Sequence, residues 1–385
     1  MKIYNVQIKT MDGGRTIPNG WIEVENGKIT AVESGTPENI TESDINGKSG
    51  LLLPGFIDAH THLGIIENGI DFEGDDCNEA TDPFTPQMRT IDGINPFDRC
   101  FEEAIKRGIT SVVVAPGSAN PCGGEIIAMK TMGRRADDML IKTTGIKFAL
   151  GENPKRTYND RDEMPVTRMA TAAVIREGLA KAVRYLDDVN VFESDRENHD
   201  MPEYDIKCEA LIPLLNGEIA AHFHCHRADD MFTALRISKE FGLKAVIVHA
   251  TEGYLIADIL GTEKGIAAIS GPVICDRCKP EMKGLDIKNT AELVRNGVKT
   301  SICTDHPVIP IQYLPASAAM AVKGGLDFES ALEAITIKAA EIADIDKTTG
   351  SITVGKDADI QLYHGNPLDI ANEPELVMIG GKINS

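Results

Sequence analysis

The chain has 385 residues, 42% of them hydrophobic, with 39 Lys and Arg against 59 Asp and Glu, a net charge of −20 at neutral pH. That length exceeds one compact core and predicts a large α/β unit beside a smaller one, while the acidic balance, with no stripe of Lys and Arg, excludes a nucleic-acid surface. No stretch reaches the roughly 18 apolar residues of a membrane span, and the opening MKIYNVQIKTMDGG lacks an apolar export segment, which predicts no membrane partner and a cytoplasmic protein.

In chain order, the first element is β-like. Residues 1 to about 50 and about 350 to 385 consist of short alternating runs broken by Gly and Asn, without helical periodicity. Two such fragments flanking one array can pair into a single satellite. The expected units are therefore 1–54 with 350–385 as a composite β-sandwich, and 55–349 as the main body. That body opens on LLLPGFIDAHTHLG, residues 51–64, an apolar run suited to a buried strand that ends by setting His60 and His62 on one face.

A helix follows in FDRCFEEAIKRGITSVVVA, with Pro96 in its first turn and Gly108 as its stop, and a β-branched run follows the helix. TTGIKFALGENPKRTY is the next apolar run, after which residues 155–205 offer no regular strand. EIAAHFHCH is strand-like. DDMFTALRISKEFGLKAVIVHA repeats the helix–Gly–strand unit, with Asp229 or Asp230 as cap and Gly242 as stop, and NTAELVRNGVKTSICTDH repeats it with Gly297. The strands VVV, AVIV and TSIC are continuously apolar, as in a parallel sheet covered on both faces. A closed (β/α)8 barrel and an open doubly wound sheet both produce this alternation.

The reactive residues separate the two. His60 and His62 end one strand, His222, His224 and His226 end a second, His249 a third and Asp305 a fourth. A barrel collects chemistry at the C-terminal ends of many strands, whereas an open sheet concentrates it at one switch point, so the barrel is preferred. Imidazole nitrogen and carboxylate oxygen suit zinc and similar divalent metals. The eight cysteines, without an export signal, read as free thiols, and the single C-x-x-C of Cys275 and Cys278 lacks a second pair.

PGFIDAHTHLG, HFHCHRADD, VIVHATEG and ICTDHP, in this order, resemble the metal-ligand motifs of the amidohydrolase superfamily, near its imidazolonepropionase-related branch. Both ends of the chain also look like halves of that family's small β-sandwich. The resemblance implies a (β/α)8 barrel binding one or two divalent ions per chain, zinc first, in which metal-activated water hydrolyses a C–N bond. His60, His62, His224 and His249 would be ligands. Asp305 would hold metal or water and move the proton. His224 is chosen on the fifth strand because the family's ligand aligns with it. His222 then lies one pleat deeper, and His226 faces substrate at the rim. For the bridging ligand the family uses either a carboxylated Lys or a Glu. Strand-end position favours Glu152, with Lys147 as the alternative.

Deaminases of the superfamily carry a Glu three residues after the fifth-strand His. Arg227 stands there instead. Hydrolysis is thereby favoured over deamination, and Arg227 with Arg277 and Lys279 suggests a small-molecule amide or cyclic amide bearing a carboxylate. A barrel that binds metal or ligand without turnover is the alternative from another class. Retention of His60, His62, His249 and Asp305 argues against it. A homo-oligomer is compatible with all of these readings.

Overall fold

Fifteen strands divide between two sheets in the computed structural model of the protein, which describes residues 1–384. β1 (Lys2–Lys9), β2 (Thr16–Glu25), β3 (Lys28–Ser34) and β4 (Ile45–Pro54) come first, with mixed buried and exposed positions, as strands with one face on a core require. β5 (Phe56–Thr61) and β6 (Ile109–Val114) are buried at every residue. β7 (Cys122–Lys130), β8 (Leu140–Ala149), β9 (Ala220–Cys225), β10 (Ala245–His249), β11 (Ile266–Ser270) and β12 (Lys299–Ile302) complete an eight-stranded sheet. β13 (Ile360–Tyr363), β14 (Leu376–Ile379) and β15 (Lys382–Asn384) return to the first sheet, whose order is β15-β14-β13-β4-β1-β2-β3.

The two ends of the chain meet through β4 and β13, where Leu52 faces Leu362 in an antiparallel ladder. Ile3, Ile8, Ile22, Leu52, Ile360 and Met378 form the core of this small sheet. Gly55 lies between β4 and β5. A Cβ there would sit 2.1 Å from the Thr110 hydroxyl, so the crossing from one sheet to the other needs glycine.

The large sheet curls into a nearly closed barrel with the small sheet beside it. Its ends are tied where the Asp305 N–H donates to the His60 carbonyl at 3.2 Å and the His62 N–H to the His306 carbonyl at 2.8 Å. β8 through β12 run parallel, as do β5 and β6, but β7 is antiparallel to both neighbours. Strict βα alternation fails there for a physical reason: the connections 115–121 and 131–139 are too short for a crossover of a dozen or more residues, so hairpins form instead. The stretch without a regular strand contains a long helix, Arg168–Ser194, capped by the Thr167 hydroxyl accepting from the Ala170 N–H. No strand lies in that stretch, and β8 precedes it.

Helix stops follow the glycines, with Gly108, Gly242 and Gly297 all at positive φ. The starts differ. The first helix begins at Cys100, four residues past Pro96, and Asp229 and Asp230 lie in the first turn of Ala228–Phe241 rather than at its cap, where their charges still favour the helix N-terminus. Among the described residues all eight cysteines are free, and no helix is long and apolar enough to cross a membrane.

Candidate metal centre

β5 ends by presenting His60 and His62 to one side. His62 Nδ1 is 2.7 Å from the Ala115 carbonyl, to which it donates, and this leaves Nε2 as the nitrogen turned toward the site. Asp305 follows β12 and adopts φ 56°, a left-handed conformation that Asp tolerates better than most residues. Its Oδ1 lies 3.6 Å from His60 Nε2 and 3.5 Å from His62 Nε2. Asp58, fully buried, braces the arrangement by accepting from the Thr304 N–H, the Thr304 hydroxyl at 2.5 Å and the His60 N–H. Burial pushes its carboxyl up to about 7.

Strand alternation puts His222, His224 and His226 on one face, and all three are buried. Ligand atoms of His224, His226 and His249 lie within 4.8 Å of one another, and the same holds for His60, His62 and Asp305. His249 has φ 73° and is held by Nδ1 against the Gly271 carbonyl at 2.7 Å. The two groups adjoin, with ring centroids of His60 and His249 5.7 Å apart and those of His224 and His249 4.5 Å apart. His226 is not the rim residue expected from sequence. Thr251 Oγ1, 2.7 Å from His226 Nδ1, turns the ring inward to stack on His249, and Nε2 has no partner. His222 lies deeper, opposite Lys147 in the β8–β9 register.

Lys147 and Glu152, the two candidates for the bridging ligand, stand differently toward the histidines. Lys147 is fully buried on β8, and its long side chain brings Nζ to 3.2 Å from His60 Nε2 and 3.0 Å from the Pro116 carbonyl. Glu152 lies past the bend at Gly151, where the helix Glu152–Asn159 starts, and its Oε2 accepts from the Glu281 N–H at 3.0 Å. Glu152 belongs to neither histidine group. Counting residues along the chain does not separate the pair, because the long Lys147 side chain reaches from within the strand.

Glu281 is a residue that sequence reasoning missed. Its Oε1 lies 3.7 Å from His224 Nε2 and from His226 Nε2, and 2.9 Å from Lys279 Nζ, in a buried setting. It sits in the connection after β11, where no periodicity marks an inward-facing carboxylate. Burial opposes its charge, but His226, Lys279 and the Glu152 N–H hold it below the usual carboxylate range.

Burial, with Lys147 adding to it, holds His60 well below the usual imidazole range, and burial with His249 does the same for His224 and His226. Burial also lowers His249 to about 4. These rings are therefore neutral at pH 7, the form that binds a cation. Burial acts downward on His62 too, but Cys77 and Asp305 outweigh it and push the ring up to about 10. The unpartnered His226 Nε2, the neutral imidazoles and the facing carboxylates make a donor set that fits divalent ions of the zinc kind.

The groups open on a cavity of about 280 Å³ lined by His62, Lys147, His224, His249, Lys279 and Asp305, among others. Neither arginine expected at the substrate lines it. Arg227 is held by Asp229 through two bonds of 2.8 Å, and Arg277 donates to the Leu285 carbonyl. Lys279 reaches the cavity, as does Lys147.

The family model described as "Amidohydrolase family" matches residues 51–383. The chain is 31% identical over 392 residues to the amidohydrolase tasK of Hapsidospora irregularis, covering 94% of this chain and 39% of that protein, so it spans well under half of that relative's length. It is 22% identical over 415 residues to an imidazolonepropionase of Alkaliphilus oremlandii, covering 97% and 92% of the two chains. Among solved structures, an amidohydrolase from Thermotoga maritima MSB8 superposes with a TM-score of 0.93 at 38% identity, covering 99% of this chain and 98% of that one.

Proposed function

From the premise that the chain belongs to the amidohydrolase family, we propose that it hydrolyses a C–N bond in an amide or cyclic amide bearing a carboxylate, at a site for two divalent ions, zinc first. The observation that carries this reading is the adjacency of two ligand groups, His60, His62 and Asp305 beside His224, His226 and His249, with the buried Lys147 amine against the first. Divalent ions in such a site supply an acidified water and polarise a carbonyl oxygen.

His60, His62 and Asp305 would hold one ion, and His224, His226 and His249 the other, with Glu281 beside them. Lys147 is favoured over Glu152 as the bridging group, as a carbamate made by its amine and CO2 with release of a proton. Burial lowers the Lys147 amine to about 8, which keeps a neutral, reactive fraction present near pH 7. Asp305 accepts the proton of the attacking water and passes it to the leaving nitrogen. Although burial opposes its charge, His249, His62 and Lys147 hold its carboxyl below the usual range, so it stands ready as the acceptor. Lys279 is the group that would fix the substrate carboxylate. Arg227, locked to Asp229, occupies the position where a deaminase of this superfamily would carry its proton-donating Glu, which favours hydrolysis.

The test combines elemental analysis of the purified protein with turnover of a panel of carboxylate-bearing amides and cyclic amides. His60→Ala is expected to lower metal content and activity together, while the same change at exposed His199 leaves both intact. Equal behaviour of the two variants, or bound metal without turnover of any amide, would count against the reading.

A further inference from the structure

One wall of the metal cavity presents hydrogen-bond donors that the chain does not fully use. Ser118, Asn153 and Lys279 line this cavity together with His224 and Asp305. Lys279 Nζ lies 2.9 Å from Glu281 Oε1 and 3.4 Å from Asn153 Oδ1. An ammonium can only donate, so it fixes the Asn153 amide with its oxygen toward Lys279 and its nitrogen turned away. Nδ2 accordingly donates to Ser118 Oγ at 2.7 Å, and its second hydrogen faces His224 Nε2 at 3.4 Å. In the hydrolytic reading above, on which this inference rests, the lone pair of that Nε2 serves a metal ion. The second Asn153 hydrogen is then left for whatever fills the cavity. The Ser118 hydroxyl, which accepts from Asn153, still has its own hydrogen to give, and the ammonium keeps a third donor beyond the two engaged by Glu281 and Asn153.

We propose that Ser118 and Asn153 join Lys279 as the specificity-determining wall for the substrate carboxylate, and that this wall selects a carboxylate over its neutral amide. Toward the cavity the three residues offer donors alone. A carboxylate meets them with two acceptor oxygens and a charge opposite to that of Lys279, whereas a primary amide would turn its NH2 group on a donor. Leaving a buried polar group unpaired costs more than a hydrogen bond gains, which makes a donor-only wall a strong filter. At about 280 Å³ the cavity also restricts the substrate to a small acid, such as a short acylamino acid or a cyclic amide with a free carboxylate.

A binding measurement tests this without relying on turnover. N-acetylglycine and N-acetylglycinamide, which differ only in carboxylate against primary amide, are titrated into the zinc-loaded full-length protein, and affinity is taken from the rise in unfolding midpoint with ligand concentration. The wild type is expected to bind the acid more tightly by about tenfold or more. Asn153→Leu, similar in size and free of donors, is expected to lose about 10–100-fold for the acid, the worth of one hydrogen bond to a charged group, and little for the amide, with zinc content unchanged. Ser118→Ala should act in the same direction. Failure of the acid to bind, equal affinity for acid and amide, or an Asn153→Leu effect that weakens both probes alike would overturn the proposal. Preference for the acid without hydrolysis of any amide would uphold this wall and count against the hydrolytic reading instead.

Discussion

Lys147→Met removes one buried ammonium and keeps the stem that fills the barrel. Burial lowers the Lys147 amine from its ordinary 10.5 to about 8, so holding it charged in the folded state costs about 3 kcal/mol at any pH below 8. Against this, the Pro116 carbonyl at 3.0 Å loses its donor, which costs about 1–2 kcal/mol. In metal-free protein at pH 7 the variant is therefore expected to be more stable by about 1–2 kcal/mol. The sign with pH follows from linkage. A base whose folded pKa is depressed carries its full penalty below the folded value, and the penalty vanishes as pH rises to the unfolded value. Above pH 8 the advantage of the variant should shrink by about 1.4 kcal/mol per unit, vanish at about pH 9.5, and become a deficit of about 1–2 kcal/mol by 10.5. Urea midpoints of both proteins, measured in chelator at pH 7, 9 and 10.5, read this directly. The same variant should lose metal and turnover. A destabilised variant at pH 7, or a difference that does not change between pH 7 and 10.5, would refute the reasoning.

Other expectations concern neighbouring residues. Glu152→Gln should leave metal content unchanged because its carboxylate serves the Glu281 N–H, whereas Glu281→Gln should weaken one ion by roughly 10–100-fold in a competition titration with chelator. Metal affinity of the stripped protein should rise about tenfold per pH unit from 6 to 9, because the His62 ring, pushed up to about 10, must release a proton to bind; proton release in unbuffered calorimetry checks the count. Phe223→Ala should cost about 3–5 kcal/mol by urea unfolding, since the ring is fully buried and stacked at 5.2 Å on Phe148, which holds β8 and β9 together.

Much of this architecture is legible in residue pattern, and the exceptions have physical causes. The apolar runs before His60, His249 and Asp305 read correctly as barrel strands because burial on both faces leaves continuous hydrophobic stretches. The antiparallel β7 is invisible to that reasoning, since a buried hairpin strand such as CGGEIIAMK is as apolar as a parallel one. His226 had a signal, the alternation it shares with His222 and His224, but whether it faces inward depends on Thr251, 25 residues away. Glu281 had none. Its part at the site comes from the connection after β11 folding back over the barrel mouth, a long-range placement that no local period records.

The site also explains why two of its groups stand at backbone angles that side chains seldom adopt. His249 at φ 73° ends its strand, and Asp305 at φ 56° follows the end of another. Such conformations cost of order 1–3 kcal/mol each and persist only where the surroundings over-determine them. Here the Gly271 carbonyl holds the His249 ring, and the contacts of Asp58 with Thr304 and His60 hold the peptide before Asp305. Unpaired imidazoles and convergent carboxylates add to that cost, so the stability of the barrel wall is partly spent at its mouth. An ion that binds only the folded chain returns stability in proportion to its concentration over its dissociation constant, about 2.7 kcal/mol at a hundredfold excess. The strain and the ligand set are thus two sides of one arrangement, which holds its donors in place before the cation arrives.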